Sequence, residues 1–257
     1  MELVYRVVQG AETFHAVERD GEVWRAKPVD GSICRGYVLG APLPGGLGGV
    51  RILAPVEPSK VVCVGLNYRD HVLETGKPLP ADPLLFMKPP TAVIGPGAPI
   101  LLPPGVGRID YEGEAAVVIG RRAHRVQAAN AWDYVFGWTC LNDVTARDLQ
   151  NKDSQYTRCK GFDTFAPMGP SIAVGLGREP RTVETWVNGR RRQASSTAQL
   201  IFGVEALIEF ITFVMTLEPG DVISTGTPAG IGAVAHGDVV TVKVGGVGEL
   251  TSPVQHE

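Results

Sequence analysis

Residues 110–120 read DYEGEAAVVIG, in which two alternating glutamates lead into an apolar run. A run that is apolar on both faces predicts a buried central strand. On a strand, Glu112 and Glu114 project from the same face, with Cβ atoms about 7 Å apart. Two carboxylates on one side of a buried strand repel each other and lose hydration, which favours a cation between them. The alternative is that both acids lie at an exposed strand end.

A third acid ends another apolar run. Asp143 closes YVFGWTCLND (134–143), where a predicted strand meets the turn into TARDLQ. Three acids at strand ends, without the Cys or His spacing of a zinc site, form an oxygen-only ligand set suited to Mg²⁺ or Mn²⁺, with Ca²⁺ as a non-native occupant. The alternative for Asp143 is an N-cap of the next helical turn, which is compatible with coordination.

Composition excludes several classes of protein. The chain has 257 residues with 24 Lys+Arg and 27 Asp+Glu, a net charge of −3 that argues against nucleic acid as a partner. Its four cysteines show no C-x-x-C pair and are expected to be reduced. No secretory signal and no apolar run of about 18 residues is visible, so we expect no membrane partner and a cytoplasmic location.

The 32 glycines and 20 prolines, with 44% hydrophobic residues, predict a turn-rich β protein. Residues 1–56 are alternating and punctuated by glycine, which predicts a small N-terminal β domain before a main domain at 57–257. Asp20-Gly21 and Asn188-Gly189 predict hairpins with primed turns. The one long helical pattern covers 195–217. We expect a mainly β fold with short helices (α+β).

Two further groups of residues suggest catalysis. In a helix, His71 and Glu74 share a face, so the carboxylate could orient the imidazole as a base; the alternative is a pair of surface side chains. Arg147 and Gln150 would likewise share a helical face close to Asp143, or be ordinary surface residues. Lys160, in CKGFDTFAPMGP, could orient water or hold a carboxylate, although most lysines are simply solvated.

The segment STGTPAGIG (224–232) is a glycine-rich turn after a predicted strand. It matches neither a P-loop nor the dinucleotide-binding fingerprint. Backbone N–H groups and hydroxyls in such a turn can still hold a carboxylate.

Six segments together resemble the fumarylacetoacetate hydrolase superfamily over residues 56–254. They are VGLNYRDHVLETG, LLFMKPPTAVIG, DYEGEAAVVIG, LNDVTARDLQ, TRCKGFDTFAPMGP and ISTGTPAGIG. Within the superfamily, the chain resembles bacterial members assigned as 2-hydroxyhepta-2,4-diene-1,7-dioate isomerases, or 5-carboxymethyl-2-hydroxymuconate isomerase-like proteins. The resemblance implies a mixed β-sandwich roll with a small N-terminal β appendage, and a homodimer.

The resemblance also implies a role for individual residues. The divalent metal would be held by Glu112, Glu114 and Asp143. The catalytic residues would be the dyad of His71 with Glu74, carried on a lid, and the active-site lysine, Lys160. The substrate-binding residues would be Arg147, Gln150, Thr227 and Lys88.

From this resemblance we expect a Mg²⁺- or Mn²⁺-dependent enzyme that acts on small 2-oxo or 2-hydroxydienoate acids through an enolate that the metal stabilises. The first choice is isomerisation, or linked decarboxylation, in aromatic-compound catabolism. The alternatives are acylpyruvate C–C hydrolysis (fumarylpyruvate type) and oxaloacetate decarboxylation. A non-enzymatic alternative is a structural metal-binding protein, but such a protein would not need His71, Glu74 and Lys160.

Overall fold

The computed structural model describes residues 1–257, and strands account for 44% of them. The strands are β1 (Glu2–Gln9), β2 (Glu12–Arg19), β3 (Glu22–Pro28), β4 (Tyr37–Pro42), β5 (Arg51–Ile52), β6 (Val61–Gly65), β7 (Leu84–Lys88), β8 (Val93–Ile94), β9 (Ile100–Leu102), β10 (Ile109–Tyr111), β11 (Gly113–Ile119), β12 (Val135–Asn142), β13 (Thr145–Ala146), β14 (Ala166–Val174), β15 (Thr182–Val187), β16 (Arg190–Ser196), β17 (Val222–Ser224), β18 (Gly232–Ala233), β19 (Val239–Val244) and β20 (Gly248–His256). The α-helices are α1 (Arg69–Thr75), α2 (Arg147–Lys152), α3 (Thr157–Lys160) and α4 (Val204–Val214). The mainly β fold with short helices is confirmed.

The largest sheet has twelve strands and runs in the order β4-β3-β2-β1-β14-β12-β11-β17-β6-β7, with β5 and β8 paired at its side. Its central strand, β11, pairs antiparallel with both β12 and β17, and β17 continues parallel to β6. A five-stranded sheet has the order β16-β15-β19-β20-β9, and a small sheet joins β13, β10 and β18.

The core lies on both faces of β11. Val117 packs with α4 and with residues of β15 and β19, whereas Val118 packs with residues of the N-terminal strands. Both valines are fully buried, and each such side chain contributes roughly 1.5–3 kcal/mol. The unbroken apolar run therefore forms a strand enclosed on both sides, as predicted, and it carries the glutamates into the interior.

Both predicted hairpin turns are confirmed. Asp20 and Gly21 have φ of 53° and 82°, and Asn188 and Gly189 have φ of 52° and 73°, the left-handed values of a primed turn. No helix in the chain is both long and apolar enough to cross a membrane. All four cysteines are buried and free.

The predicted helix over 195–217 is wrong at both ends. The Asn188-Gly189 turn brings residues 190–196 back against β15, so that Ser195 pairs with Val183 as part of β16. A short 3₁₀ turn follows at Thr197–Gln199, and α4 begins only after Gly203. Strand pairing thus overrides the helical pattern at Ser195 and Ser196, and at the other end α4 stops at Val214 rather than at Leu217.

The first strands extend the large sheet, since β1 pairs with β14 over Glu2–Val4 and Ile172–Val174. Val4 and Val17 also belong to the core on one face of β11. The division of the chain into 1–56 and 57–257 stays a prediction.

Candidate active site and metal centre

A cavity of about 250 Å³ brings together most of the residues singled out in the sequence. Side chains from α1, β10, β11, α2, α3 and the glycine-rich turn line it. Among them are His71, Glu112, Glu114, Asp143, Arg147, Gln150, Lys160 and Thr227. Glu74 and Lys88 are not part of the lining.

Three carboxylates lie at the base of this cavity. One oxygen of each of Glu112, Glu114 and Asp143 lies within 4.8 Å of the others, and all three residues are buried. Hydrogen bonds at the adjoining ends of β11 and β12 fix this arrangement, because the N–H of Asp143 donates to the Glu112 carbonyl (2.8 Å) and the Glu112 N–H donates to the side-chain Oδ1 of Asn142 (3.0 Å). The exposed-end alternative is therefore wrong. The N-cap alternative is also wrong, since Ala146 occupies the N-cap position of α2 without a side-chain bond.

Two of the carboxylates share the ammonium of Lys160, and the third has separate donors. Lys160 Nζ lies 2.9 Å from Glu112 Oε2 and 2.5 Å from Asp143 Oδ2. Glu114 Oε2 instead accepts from the Ser224 hydroxyl (2.5 Å) and from the N–H of Gly226 (2.8 Å).

These surroundings shift the pKa values of the two glutamates in opposite directions. Burial alone would raise the pKa of Glu112, but the cations of Lys160 and Arg147 outweigh it and lower the pKa to about 2. Burial and the nearby Asp143 raise the pKa of Glu114 to about 8. Burial would lower the pKa of Lys160, but Asp143 and Glu112 raise it above its ordinary value, so this lysine is charged.

Asp143 retains an oxygen without a hydrogen bond. Its buried Oδ1 lies 2.8 Å from Lys88 Nζ but has no hydrogen-bond partner. The two facts agree, because Lys88 Nζ already donates to the carbonyls of Val144 (3.0 Å), Lys160 (2.7 Å) and Phe165 (2.7 Å), and an ammonium has three hydrogens. A buried oxygen with a free lone pair, beside two further carboxylates, fits a hard divalent cation.

His71 and Glu74 form the predicted pair. His71 Nδ1 lies 2.8 Å from Glu74 Oε2, and His71 is buried and lines the cavity. Glu74 Oε1 accepts from the N–H of Gly230 (2.9 Å), which ties α1 to the glycine-rich turn. Asp70, at the start of α1, accepts from the Ser195 hydroxyl (2.5 Å). The surface alternative is therefore wrong for His71, whereas the side chain of Glu74 is 38% exposed.

Of the four residues predicted to bind substrate, three line the cavity (Arg147, Gln150 and Thr227), and Lys88 does not. Arg147 is bonded to Glu112 and Gln150, both at 2.5 Å. The Thr227 hydroxyl donates to the Gly113 carbonyl (2.9 Å) and accepts from Gln193 (2.8 Å). Lys88 is 1% exposed and lies behind the carboxylates, so its position indicates support of Asp143 rather than contact with a substrate.

Three residues of this network were not predicted from the sequence: Arg108, Asp110 and Gln193. Asp110 is fully buried and bonded to Arg108 and Arg147 (2.6 and 2.9 Å). Gln193 accepts from the N–H of Gly113 (3.0 Å) besides donating to Thr227. The only available signal was the continued alternation upstream of Glu112, which places Arg108 and Asp110 on the same side of the strand.

With all four acids ionised, as they would be around a bound cation, the charged residues that line the cavity balance. The cations are Lys77, Arg108, Arg147 and Lys160, and the anions are Asp110, Glu112, Glu114 and Asp143. A divalent cation held by the carboxylates would therefore leave an excess of two positive charges.

Comparisons with known proteins agree on one family. The model of the fumarylacetoacetate (FAA) hydrolase C-terminal domain matches residues 60–255. An uncharacterised protein of Archaeoglobus fulgidus is 54% identical over 78% of this chain and 80% of its own, and oxaloacetate tautomerase YisK of Bacillus subtilis is 38% identical over 98% and 86%. The crystal structure of 2-hydroxyhepta-2,4-diene-1,7-dioate isomerase from Mycobacterium marinum has a TM-score of 0.90 at 40% identity, covering 100% of this chain and 99% of that chain.

Proposed function

Since this chain belongs to the fumarylacetoacetate hydrolase family, we propose that it is a divalent-metal-dependent isomerase of 2-oxo or 2-hydroxydienoate acids. The reaction type that we favour is that of a 2-hydroxyhepta-2,4-diene-1,7-dioate isomerase. One observation carries the proposal: a buried carboxylate triad lines the same small cavity as His71, whose imidazole is paired with Glu74. A structural metal site would not need this pair.

Glu112, Glu114 and Asp143 would hold the cation, and their all-oxygen donor set favours Mg²⁺ or Mn²⁺. When bound, such a cation acts as a Lewis acid that stabilises negative charge on the oxygens of a 2-oxo acid. The excess of two positive charges in the loaded cavity matches a dicarboxylate substrate, which carries two negative charges.

His71 would move the proton. Its Nδ1 is engaged by Glu74, which leaves Nε2 to take a proton from one atom of the bound acid and return it to another. Glu74 stabilises the imidazolium that forms in between, and its bond to Gly230 keeps the imidazole in place. Lys160 would offer an N–H to the developing enolate oxygen.

A second candidate is oxaloacetate tautomerisation, which the likeness to YisK over 98% of this chain favours. Keto–enol exchange needs the same proton transfer on a smaller dicarboxylate. Acylpyruvate hydrolysis and oxaloacetate decarboxylation would use the same residues with attack by water or loss of CO₂. We propose the homodimer as well, on the family resemblance alone.

The test is a panel of 2-oxo acids and 2-hydroxydienoates supplied with Mg²⁺, in which wild type, His71→Ala and Glu74→Gln are compared. We expect proton exchange or isomerisation that falls by about 10²–10⁴-fold in His71→Ala and less in Glu74→Gln.

The exposed His124 provides the matched control, His124→Ala. Turnover unchanged in His71→Ala would remove this residue from its role. Absence of turnover on every compound would support a structural metal site, and release of CO₂ or of a cleaved product would identify the decarboxylase or hydrolase.

A further inference from the structure

Four alternate residues line the cavity in sequence order. All four, Arg108, Asp110, Glu112 and Glu114, belong to its lining; Asp110 lies in β10 and Glu114 in β11, and the other two flank β10 at the same two-residue spacing. Glu114 is buried (2% exposed), whereas the side chain of Arg108 is 52% exposed. The row therefore leads from the carboxylates to the mouth of the cavity and ends on a cation.

Asp110 holds two arginines beside each other. Its buried carboxylate accepts from Arg108 Nε (2.6 Å) and Nη2 (3.1 Å), and from Arg147 Nε (2.9 Å). The other nitrogens of Arg147 are bonded to Gln150 and Glu112. Arg147 is thus occupied on all three nitrogens by neighbours within the chain.

Only one edge of the Arg108 guanidinium, formed by Nε and Nη2, is hydrogen-bonded. The guanidinium bonds to Asp110 alone, so Nη1 has no partner in the chain while the side chain lines the cavity. We propose that Arg108 is a specificity-determining residue that binds the distal carboxylate of a dicarboxylic 2-oxo acid, with Asp110 as the residue that positions it. This inference rests on the proposed function.

The backbone fixes Arg108 in this place. Its N–H donates to Asp148 Oδ2 (3.2 Å), and its carbonyl accepts from the N–H of Arg147 (2.7 Å). A Cβ at the preceding Gly107 would lie 1.9 Å from Asp148 Oδ2, so a side chain there would displace the carboxylate that accepts from the Arg108 N–H. A guanidinium held before the ligand arrives loses little conformational entropy on binding, which favours it over the exposed Lys77 that also lines the cavity.

The test compares two acids that differ only in the distal carboxylate, 2-oxoglutarate and 2-oxopentanoate. Titration calorimetry on the Mg²⁺-loaded protein gives the ratio of their dissociation constants. We expect wild type to prefer 2-oxoglutarate and Arg108→Met to reduce that preference by about 10- to 100-fold, the effect of one charge-assisted hydrogen-bonded pair. Affinity for 2-oxopentanoate should not change. Arg108→Lys should keep part of the preference, because it retains the charge without the planar fork.

Lys77→Met and Arg122→Met are the controls. The first removes the other cation at the mouth of the cavity, and the second removes an exposed arginine paired with Glu218 far from it. An unchanged preference in Arg108→Met, or a larger loss in Lys77→Met, would overturn the inference and leave the proposed function standing. If wild type binds neither acid, the proposed function fails and this inference fails with it.

Discussion

Lys88→Met is expected to destabilise the protein far more than an ordinary lysine substitution. Lys88 is 1% exposed, and its ammonium donates to three carbonyls, those of Val144, Lys160 and Phe165. It also lies 2.8 Å from Asp143 Oδ1. Methionine occupies a similar volume, so the change removes the charge and the donors while leaving little cavity.

The size of the loss follows from these contacts. Hydrogen bonds from a charged donor contribute about 1.5–3 kcal/mol each, and buried carbonyls that lose a partner keep their desolvation cost. Removing the ammonium also recovers several kcal/mol of its own desolvation. We therefore expect the free energy of unfolding to fall by about 3–5 kcal/mol.

Urea unfolding in the presence of a chelator measures this loss without any contribution from bound metal. With a slope of about 3 kcal/mol per molar urea, the midpoint should fall by about 1 M or more. Lys60→Met is the matched control, because Lys60 also pairs with a buried acid, Asp221 (2.5 Å), but that carboxylate keeps other donors such as the Ser59 hydroxyl. A loss below about 1 kcal/mol in Lys88→Met, or one equal to the control, would refute the assignment of Lys88 as the support of Asp143.

Two further substitutions probe the carboxylate triad. Glu114→Ala should abolish Mg²⁺ binding in calorimetry, because two carboxylates bridged by Lys160 offer too few oxygens for the cation. Gly226→Ala should lower the free energy of unfolding by roughly 2–4 kcal/mol in thermal or urea unfolding, because its φ is 100° and the new Cβ would lie 2.9 Å from that of Asn67.

Each of these has a control on the surface. Glu218→Ala removes an exposed acid paired with Arg122, so Mg²⁺ affinity should be unchanged in it; the same result in Glu114→Ala would contradict the metal site. Gly97→Ala has a comparable φ of 77° and no atom within 4 Å, so it should show the backbone strain without the close contact. Equal losses at both glycines would mean that packing against Asn67 contributes nothing.

The sequence predicts the carboxylate triad because strand periodicity is local. Glu112 and Glu114 share a face and lead into an apolar run, so the pattern predicts that both acids lie together, either in the interior or at an exposed strand end; the structure places them in the interior. Asp143 needed one further step, which is the antiparallel pairing of β11 with β12.

Contacts between residues that are far apart in the sequence could not be predicted from it. Lys88 stands in a proline-rich segment that resembles a loop, and only the tertiary fold shows that its ammonium meets carbonyls 56 to 77 residues later. Gln193 lies in a polar strand, RRRQASS, yet it is 1% exposed. Neither residue differs from a surface residue until the sheets are packed.

The carboxylates and the histidine are carried by different kinds of structure. The acids stand on and beside the central strand of the large sheet, whereas His71 stands on a seven-residue helix held by side-chain bonds from Asp70 and Glu74. Changes within α1 could therefore alter or abolish the chemistry while the cation site and most of the folding free energy remain. In such a protein, substitutions in the helix that carries the proton-transferring residue can change the reaction without destabilising the sheet that carries the carboxylates.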